Sequence, residues 1–182
     1  MNLQKTNIIN ERNLTPLPII LGPTASGKSA FSIELAKRIN GEIISADSAQ
    51  IYKDLSIVTA RVTEDEAGGV PHHLSGFLSL GDPFSAADFQ KLAYKAIIDI
   101  ISRNKVPILT GGTVFYVKTV AEAYTLPEVT PDENFRKKLL IIAETKGREA
   151  LYSELALKDP AAALKIHPNN VRRVIRALEV IE

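Results

Sequence analysis

The sequence predicts an α/β protein: a P-loop-containing parallel sheet with flanking helices, followed by a helical subdomain in the second half. Three observations predict it. Residues Gly22-Pro23-Thr24-Ala25-Ser26-Gly27-Lys28-Ser29 complete the pattern G-x-x-x-x-G-K-[ST] between a short apolar run and a helical repeat. Apolar runs and amphipathic segments then alternate as far as residue 113, the pattern of a parallel sheet with right-handed crossovers. Beyond residue 114 strand signals vanish and helix-start signals replace them. The chain therefore divides into a flexible tail over residues 1–16, an α/β core over 17–125 and a helical subdomain over 126–182.

Pro18-Ile19-Ile20-Leu21 reads as a short buried strand feeding the loop. From Ser29 to Asn40, Ile33, Leu35, Ala36 and Ile39 recur at helical spacing, and Gly41 stops the helix. Glu42-Ile43-Ile44-Ser45 is a second strand that ends in Asp47. A mixed stretch from Tyr52 to Val62 and a polar one through Gly68-Gly69 follow, and Pro71-His72-His73 falls in a loop. Ser85 caps a helix, with Asp88 closing a capping box. Behind it Phe89, Leu92, Ala93, Ala96, Ile97, Ile100 and Ile101 form one apolar stripe. Val106-Pro107-Ile108-Leu109 is the third strand and leads into Gly111-Gly112-Thr113. In the second half, Thr130-Pro131-Asp132-Glu133 supplies a cap, a proline at the first helical position and a glutamate, and that helix ends near Gly147. Asp159-Pro160 opens another helix, and Asn169 or Asn170 opens a last one that runs to Glu182. Three strands are fewer than the five or six usual in open sheets, and the last helix has no cap, so the chain is expected to stop before its fold is complete.

The 182 residues suffice for an unstapled core, and 22 Lys and Arg against 21 Asp and Glu give no global pull toward nucleic acid. The absence of cysteine excludes disulfides and thiolate chemistry. No segment reads as a signal peptide or a membrane span, so a cytoplasmic enzyme with no membrane partner is expected.

The chemistry converges on the carboxyl ends of the strands, where open parallel sheets hold ligands. The loop residues Gly22 to Ser29 turn backbone N–H groups around an anion, Lys28 reaches the outer phosphate, and the Ser29 hydroxyl can hold Mg²⁺. Asp47, with Ser48, Ala49 and Gln50 behind it, can serve as a base, as a metal partner through water, or as a turn cap. Thr113 can bond a phosphate, orient a nucleophile or cap the next helix. The third strand ends Leu109-Thr110-Gly111, without the carboxylate that motor-type hydrolases place on Mg²⁺, which favours a small-molecule transferase. His72-His73 has no third ligand at metal-binding spacing; positioning the loop or contacting substrate suits the pair better. On the last helix Arg172, Arg173 and Arg176 fall within about 100° of one another, opposite Val171, Val174, Ile175 and Leu178. That face is either solvated or set against a nucleic-acid backbone.

Assembled, these residues resemble the tRNA dimethylallyltransferases (isopentenyltransferases, the IPP transferase family). The resemblance runs through Gly22 to Ser29, Gly41 to Ser48 with Gln50-Ile51-Tyr52, and Val70-Pro71-His72-His73-Leu74. It continues through Ser85 to Phe89, Pro107-Ile108-Leu109 with Gly111-Gly112-Thr113, and His167-Pro168-Asn169 with Arg173 and Arg176 to Val180. It implies transfer of a prenyl group from dimethylallyl diphosphate, with Mg²⁺, to the N6 of an adenine beside the anticodon of tRNA, by a monomer. Asp47 then corresponds to the residue that takes the N6 proton or holds the amine, and Thr113 to a hydroxyl near the reacting centre. Ser48, Ala49 and Gln50 match the segment that reads the flipped adenine, and Arg172, Arg173, Val174, Ile175 and Arg176 a tRNA-contacting stretch. The chain departs from the family at Ala49 (usually methionine), Val58 (glycine), Arg61 (lysine) and Val114-Phe115 (Gly-Leu). It corresponds to roughly the N-terminal three-fifths of such enzymes, the remainder carrying more tRNA surface and a further catalytic arginine. Other readings are an adenylate isopentenyltransferase, a small-molecule kinase and a non-catalytic RNA-binding remnant.

Overall fold

The computed structural model describes residues 16–55, 61–127, 129 and 131–182. The expected tail up to residue 15, the departure at Val58 and the expected cap at Thr130 lie outside the described residues. Contacts divide the chain into two units, one ending at Leu126 and one spanning Pro127–Glu182.

The first unit holds the sheet. Its elements are β1 (Ile19–Leu21), α1 (Lys28–Ile39), β2 (Gly41–Ser45), α2 (Glu64–Ala67), β3 (His72–His73), α3 (Ala86–Ser102), β4 (Val106–Gly111) and α4 (Val114–Ala121). The strands lie in the order β1-β4-β2-β3, all parallel. Parallel strands need long crossovers: α1 carries the chain from β1 past the place of β4 to β2, and α3 carries it from β3 past β2 to β4. Period-2 alternation explains why β2 and β4 read as unbroken apolar runs. Ile43 and Ile108 pack with Ile33 and Ala36 of α1 on one face. Ile44 and Leu109 pack with Phe89, Ala93 and Ile100 of α3 and with Tyr116, Val117 and Val120 of α4 on the other.

Two elements differ from the sequence reading. His72-His73, expected in a loop, is a fourth strand paired with Ile43 and Ile44 of β2. Two residues are too few to show an alternating pattern, so only the pairing reveals it. The polar stretch before Gly68 contains α2, closed by a capping box in which Thr63 and Glu66 exchange hydrogen bonds. The capping box at Ser85 and Asp88 forms as expected.

One polar cluster staples the amino end of the sheet. Glu42, its side chain 1% exposed, receives both arms of Arg103, the Lys105 ammonium at 2.8 Å and His73 Nε2 at 2.7 Å. The Arg103 hydrogen bonds, joined by those of Lys105 and His73, outweigh burial and hold the Glu42 carboxyl far below the ordinary carboxylate range.

The second unit consists of α5 (Glu133–Thr145), α6 (Arg148–Lys158), α7 (Pro160–Ala163) and α8 (Val171–Ile181). Leu139, Leu151, Leu155, Ala163, Val174, Ile175 and Leu178 form its core. Helix α6 is absent from the sequence reading. Asp159 caps α7 and Asn170 caps α8. The cap of α5 is Asp132, which accepts from the N–H groups of Asn134 and Phe135. Among the described residues no helix is long and apolar enough to cross a membrane.

Glu179 is the unit's buried charge. It accepts two hydrogen bonds from Arg136 at 2.9 Å, one from Arg176 and one from the Asp132 N–H at 2.7 Å. Burial acts to raise its pKa, and the four donors outweigh that and hold it at about 2, against 4.5 for a free carboxyl. A depressed carboxyl stabilises the fold fully above the unfolded pKa and loses that contribution as pH falls through the folded one. Glu179→Gln should therefore cost about 2–3 kcal/mol at pH 7, below the 3–5 of a fully buried pair because both arginines reach solvent. It should also flatten the stability loss between pH 4.5 and 2. Urea midpoints followed by circular dichroism at several pH values test this, and a variant as stable as the parent at pH 7 contradicts it.

Candidate active site

The phosphate loop leaves β1 at Leu21 and enters α1 at Lys28. Its turn uses left-handed backbone at Ala25 (φ 64°) and at Gly27 (φ 81°), the residue that precedes the helix. No side chain caps α1, so its first N–H groups and positive dipole end are presented to an anion. The Lys28 ammonium donates to the Pro23 carbonyl at 2.9 Å across the loop. Beneath it, Thr110 donates to Ser32 at 3.0 Å and Ser32 donates to the Lys28 carbonyl at 2.6 Å, which ties the base of the loop to β4.

The second part of the site forms where β2 and β4 end. The Ala46 N–H donates to the Thr110 carbonyl at 2.7 Å, and the Ala46 carbonyl accepts from the Thr113 N–H at 3.1 Å. A side chain at Gly111 would overlap the Ala46 carbonyl, so glycine is the residue that permits this approach. The close approach brings Ser48 and Thr113 together. The Ser48 N–H donates to Thr113 Oγ1 at 2.9 Å, and that hydroxyl donates to Ser48 Oγ at 3.1 Å. Thr113 thus occupies the cap position of α4 while its hydroxyl is committed to the site. Asp47 uses one oxygen, Oδ1, to accept the Ala49 N–H at 3.0 Å. A Cβ at position 112 would stand 3.6 Å from both Asp47 Oδ2 and the Gly22 carbonyl, so the three expected segments meet there. Gln50 accepts from Ser45 at 3.3 Å.

Two hollows adjoin the loop. One of about 590 Å³ opens along α1 and is lined by Ala25 to Ala30 with Ile33, Lys37 and Val62. The other, of about 20 Å³, lies at the strand ends among Lys28, Ser29, Asp47, Gln50, His72 and Thr110. The smaller one is where Asp47 converges with the hydroxyl-bearing residues Ser29, Ser45 and Thr110. His72 Nδ1 lies 2.9 Å from the Val70 carbonyl, which can only accept, so that nitrogen carries the proton. Burial pushes the pKa of the ring down. The two histidines therefore divide their work, one bordering the recess and the other bound to Glu42.

A metal could draw on the Ser29 hydroxyl and, through water, on Asp47, which both border the smaller hollow. No cluster of three or more His, Cys, Asp or Glu side chains stands ready for a metal among the described residues. This set fits Mg²⁺ carried by diphosphate oxygens and water, and does not form an all-protein cage.

In the helical unit, Arg172 and Arg173 are exposed. Val174 and Ile175, included in the expected tRNA-contacting stretch, are 1% and 5% exposed and belong to the core. Arg176 is turned onto Glu179 and the Val129 carbonyl. The outward part of that stretch is the Arg172–Arg173 pair.

A model of the IPP transferase family matches residues 50–182. The chain is 50% identical to a tRNA dimethylallyltransferase of Bacillus subtilis over 166 residues, 91% of this chain and 53% of that protein. A tRNA dimethylallyltransferase of Dehalococcoides mccartyi is 49% identical over 168 residues, covering 92% of this chain and 51% of its own. Among solved structures, the full-length tRNA isopentenylpyrophosphate transferase of Bacillus halodurans aligns with a TM-score of 0.62 at 47% identity, covering 92% of this chain and 55% of that one. A eukaryotic dimethylallyltransferase solved acting on tRNA aligns with a TM-score of 0.74 at 36% identity, over 88% and 40%. The chain spans about half the length of the curated relatives it matches, less than the three-fifths expected.

Gly111→Ala should force the ends of β2 and β4 apart. The obstacle is backbone rather than a movable side chain, so the cost should reach about 3 kcal/mol, the upper end for overpacking. Diphosphate affinity, read by calorimetry, should fall with it. A variant that melts and binds diphosphate like its parent would show that the strand ends have room to spare.

Proposed function

The chain belongs to the IPP transferase family, and from that premise we propose that it transfers a dimethylallyl group from dimethylallyl diphosphate to the N6 of an adenosine beside the anticodon of a tRNA. One observation carries the reading: an anion-binding loop and a carboxylate flanked by hydroxyls meet at one end of one sheet, around Gly112. A donor diphosphate in the loop and an amine at the carboxylate are the two halves of this reaction.

In the transfer, the N6 lone pair forms a bond to C1 of the prenyl group as the bond from C1 to the diphosphate oxygen breaks. The electron pair departs with the diphosphate, and the N6 proton passes to Asp47. The loop N–H groups and the amino end of α1 stabilise the charge that grows on the leaving group. Lys28 adds its ammonium by exchanging the exposed Pro23 carbonyl for a phosphate oxygen. Ser29 would hold Mg²⁺, which when bound would supply charge neutralisation of the leaving group. Asp47 is aimed by its turn onto the Ala49 N–H, which fixes one oxygen and leaves Oδ2 beside Gly112. Thr113 holds Ser48, and the segment Ser48-Ala49-Gln50 forms the wall against which a flipped adenine rests. Arg172 and Arg173 offer two phosphate contacts to the tRNA. A tRNA acceptor of this kind suits a cytoplasmic protein.

Labelled dimethylallyl diphosphate with unmodified tRNA, AMP or ATP tests the proposal. Transfer to tRNA is expected; transfer to AMP in its place, or phosphate transfer from labelled ATP, overturns it. Asp47→Asn should lower kcat by about 10²- to 10⁴-fold, the range for a positioned base, with diphosphate affinity unchanged. A near-normal kcat removes Asp47 from the base role.

A further inference from the structure

Immediately beyond Thr113, α4 opens with two apolar residues that the core does not take. Val114 and Phe115 are each 50% exposed, although Tyr116, Val117, Thr119 and Val120 of the same helix are buried. The inner face of α4 is thus filled, and Phe115 stands on the outer one. It is not a loose ring. Phe115 meets Tyr124 edge-on, with centroids 6.4 Å apart and planes at 64°. Tyr124 is itself anchored. Its N–H donates to the Thr119 carbonyl at 3.2 Å, and its carbonyl accepts from Gln90 at 2.9 Å. Lys118 lies one turn on from Phe115, exposed on the same face, with no acidic partner among the described residues. The Ser48–Thr113 hydrogen bonds fix the start of α4 beside Asp47.

We propose that Phe115, backed by Tyr124 and flanked by Lys118, is a stacking platform for a nucleobase of the acceptor RNA next to the adenosine that reacts. The inference rests on the tRNA reading above. Taking one base out of the stack leaves its neighbours without a partner on that side, and an open aromatic face replaces what they lose. Lys118 is placed for the phosphate of the same strand. A prenyl chain is the poorer occupant, because it calls for an enclosed apolar pocket and has no use for an ammonium. Glu122, one turn on from Lys118, makes no ion pair with it.

The test measures binding of a fluorescent anticodon stem-loop RNA to the 182-residue chain by anisotropy. Binding of dimethylallyl diphosphate by calorimetry is the companion measurement. Phe115→Ala should weaken RNA binding by about 5- to 100-fold, the range for loss of one base–aromatic stack. Phe115→Leu should lose most of the same affinity despite its similar apolar area, and Phe115→Trp should keep it. Lys118→Ala should lower the salt dependence by about one counterion. Donor affinity should stay unchanged throughout, and circular dichroism should show every variant folded, since the ring is half exposed. If Phe115→Ala binds RNA like its parent, the platform is refuted while the tRNA reading stands. If it loses donor affinity instead, the ring belongs to the prenyl chain. If the parent chain binds no RNA, both readings fall together.

Discussion

The site depends on how closely two strand ends approach. Ala46, at the end of β2, donates to β4 through Thr110 and accepts from the loop beyond it through Thr113. Its carbonyl occupies the space that a side chain at position 111 would need. Everything chemical follows from that contact. It puts Asp47 and Ser48 against Thr113, and it leaves Gly112 between Asp47 and the first residue of the phosphate loop. The loop is tied to the same strand from below, through Thr110, Ser32 and the Lys28 carbonyl. Thr110 therefore works on both parts at once, its carbonyl with Ala46 and its hydroxyl with the base of the loop. A shift of β4 along its axis would move the anion site and the carboxylate together.

The two ends of the sheet are stabilised by different means. At the amino end, Glu42 draws Arg103, Lys105 and His73 from the close of α3, the start of β4 and β3. Such a cluster is a poor source of net stability, but removing one partner is costly, so it specifies register. That register sets which face each histidine occupies. With Ile43 opposite His72 and Ile44 opposite His73, one ring goes to Glu42 and the other borders the recess at Asp47. A slip of one residue would exchange the two faces.

The sequence made the frame legible wherever periodicity ran long enough. The loop, α1, β2, α3 and β4 each carry a pattern of several residues or a cap, and their apolar positions pack as that pattern requires. What was hidden was short, uncapped or conditional. β3 has two residues and α2 has four, while α6, eleven residues long, starts after Gly147 with no side-chain cap to mark it. A capping box at Thr63 and Glu66 was available to mark α2, whereas nothing but pairing marks β3. The arginine face of α8 was half legible. The wheel placed Val174 and Ile175 inward correctly, but it could not foresee that Glu179, three residues on, would engage Arg176. A helical wheel assigns direction, and an ion pair on a neighbouring turn can overrule it. The site residues were legible as types, and their hydrogen bonds were not, because Ser48 and Thr113 are 65 positions apart.

The candidate phosphate loop is held in its turn by its own residues. Ala25 and Gly27 hold left-handed backbone, which costs a non-glycine residue of order 1–3 kcal/mol at Ala25. Lys28 satisfies itself on a carbonyl within the loop and so supports the turn it will later leave. In the proposed transfer this matters more for the leaving group than for donor binding. Charge on the diphosphate grows as the bond to the prenyl carbon breaks, and fixed N–H groups answer that growth without reorganising. Asp47 faces the same recess from the other side of Gly112, held by its own turn. In that proposal the base is carried by β2 and the donor's grip by β1, and β4, which lies between them in the sheet, fixes the distance from one to the other.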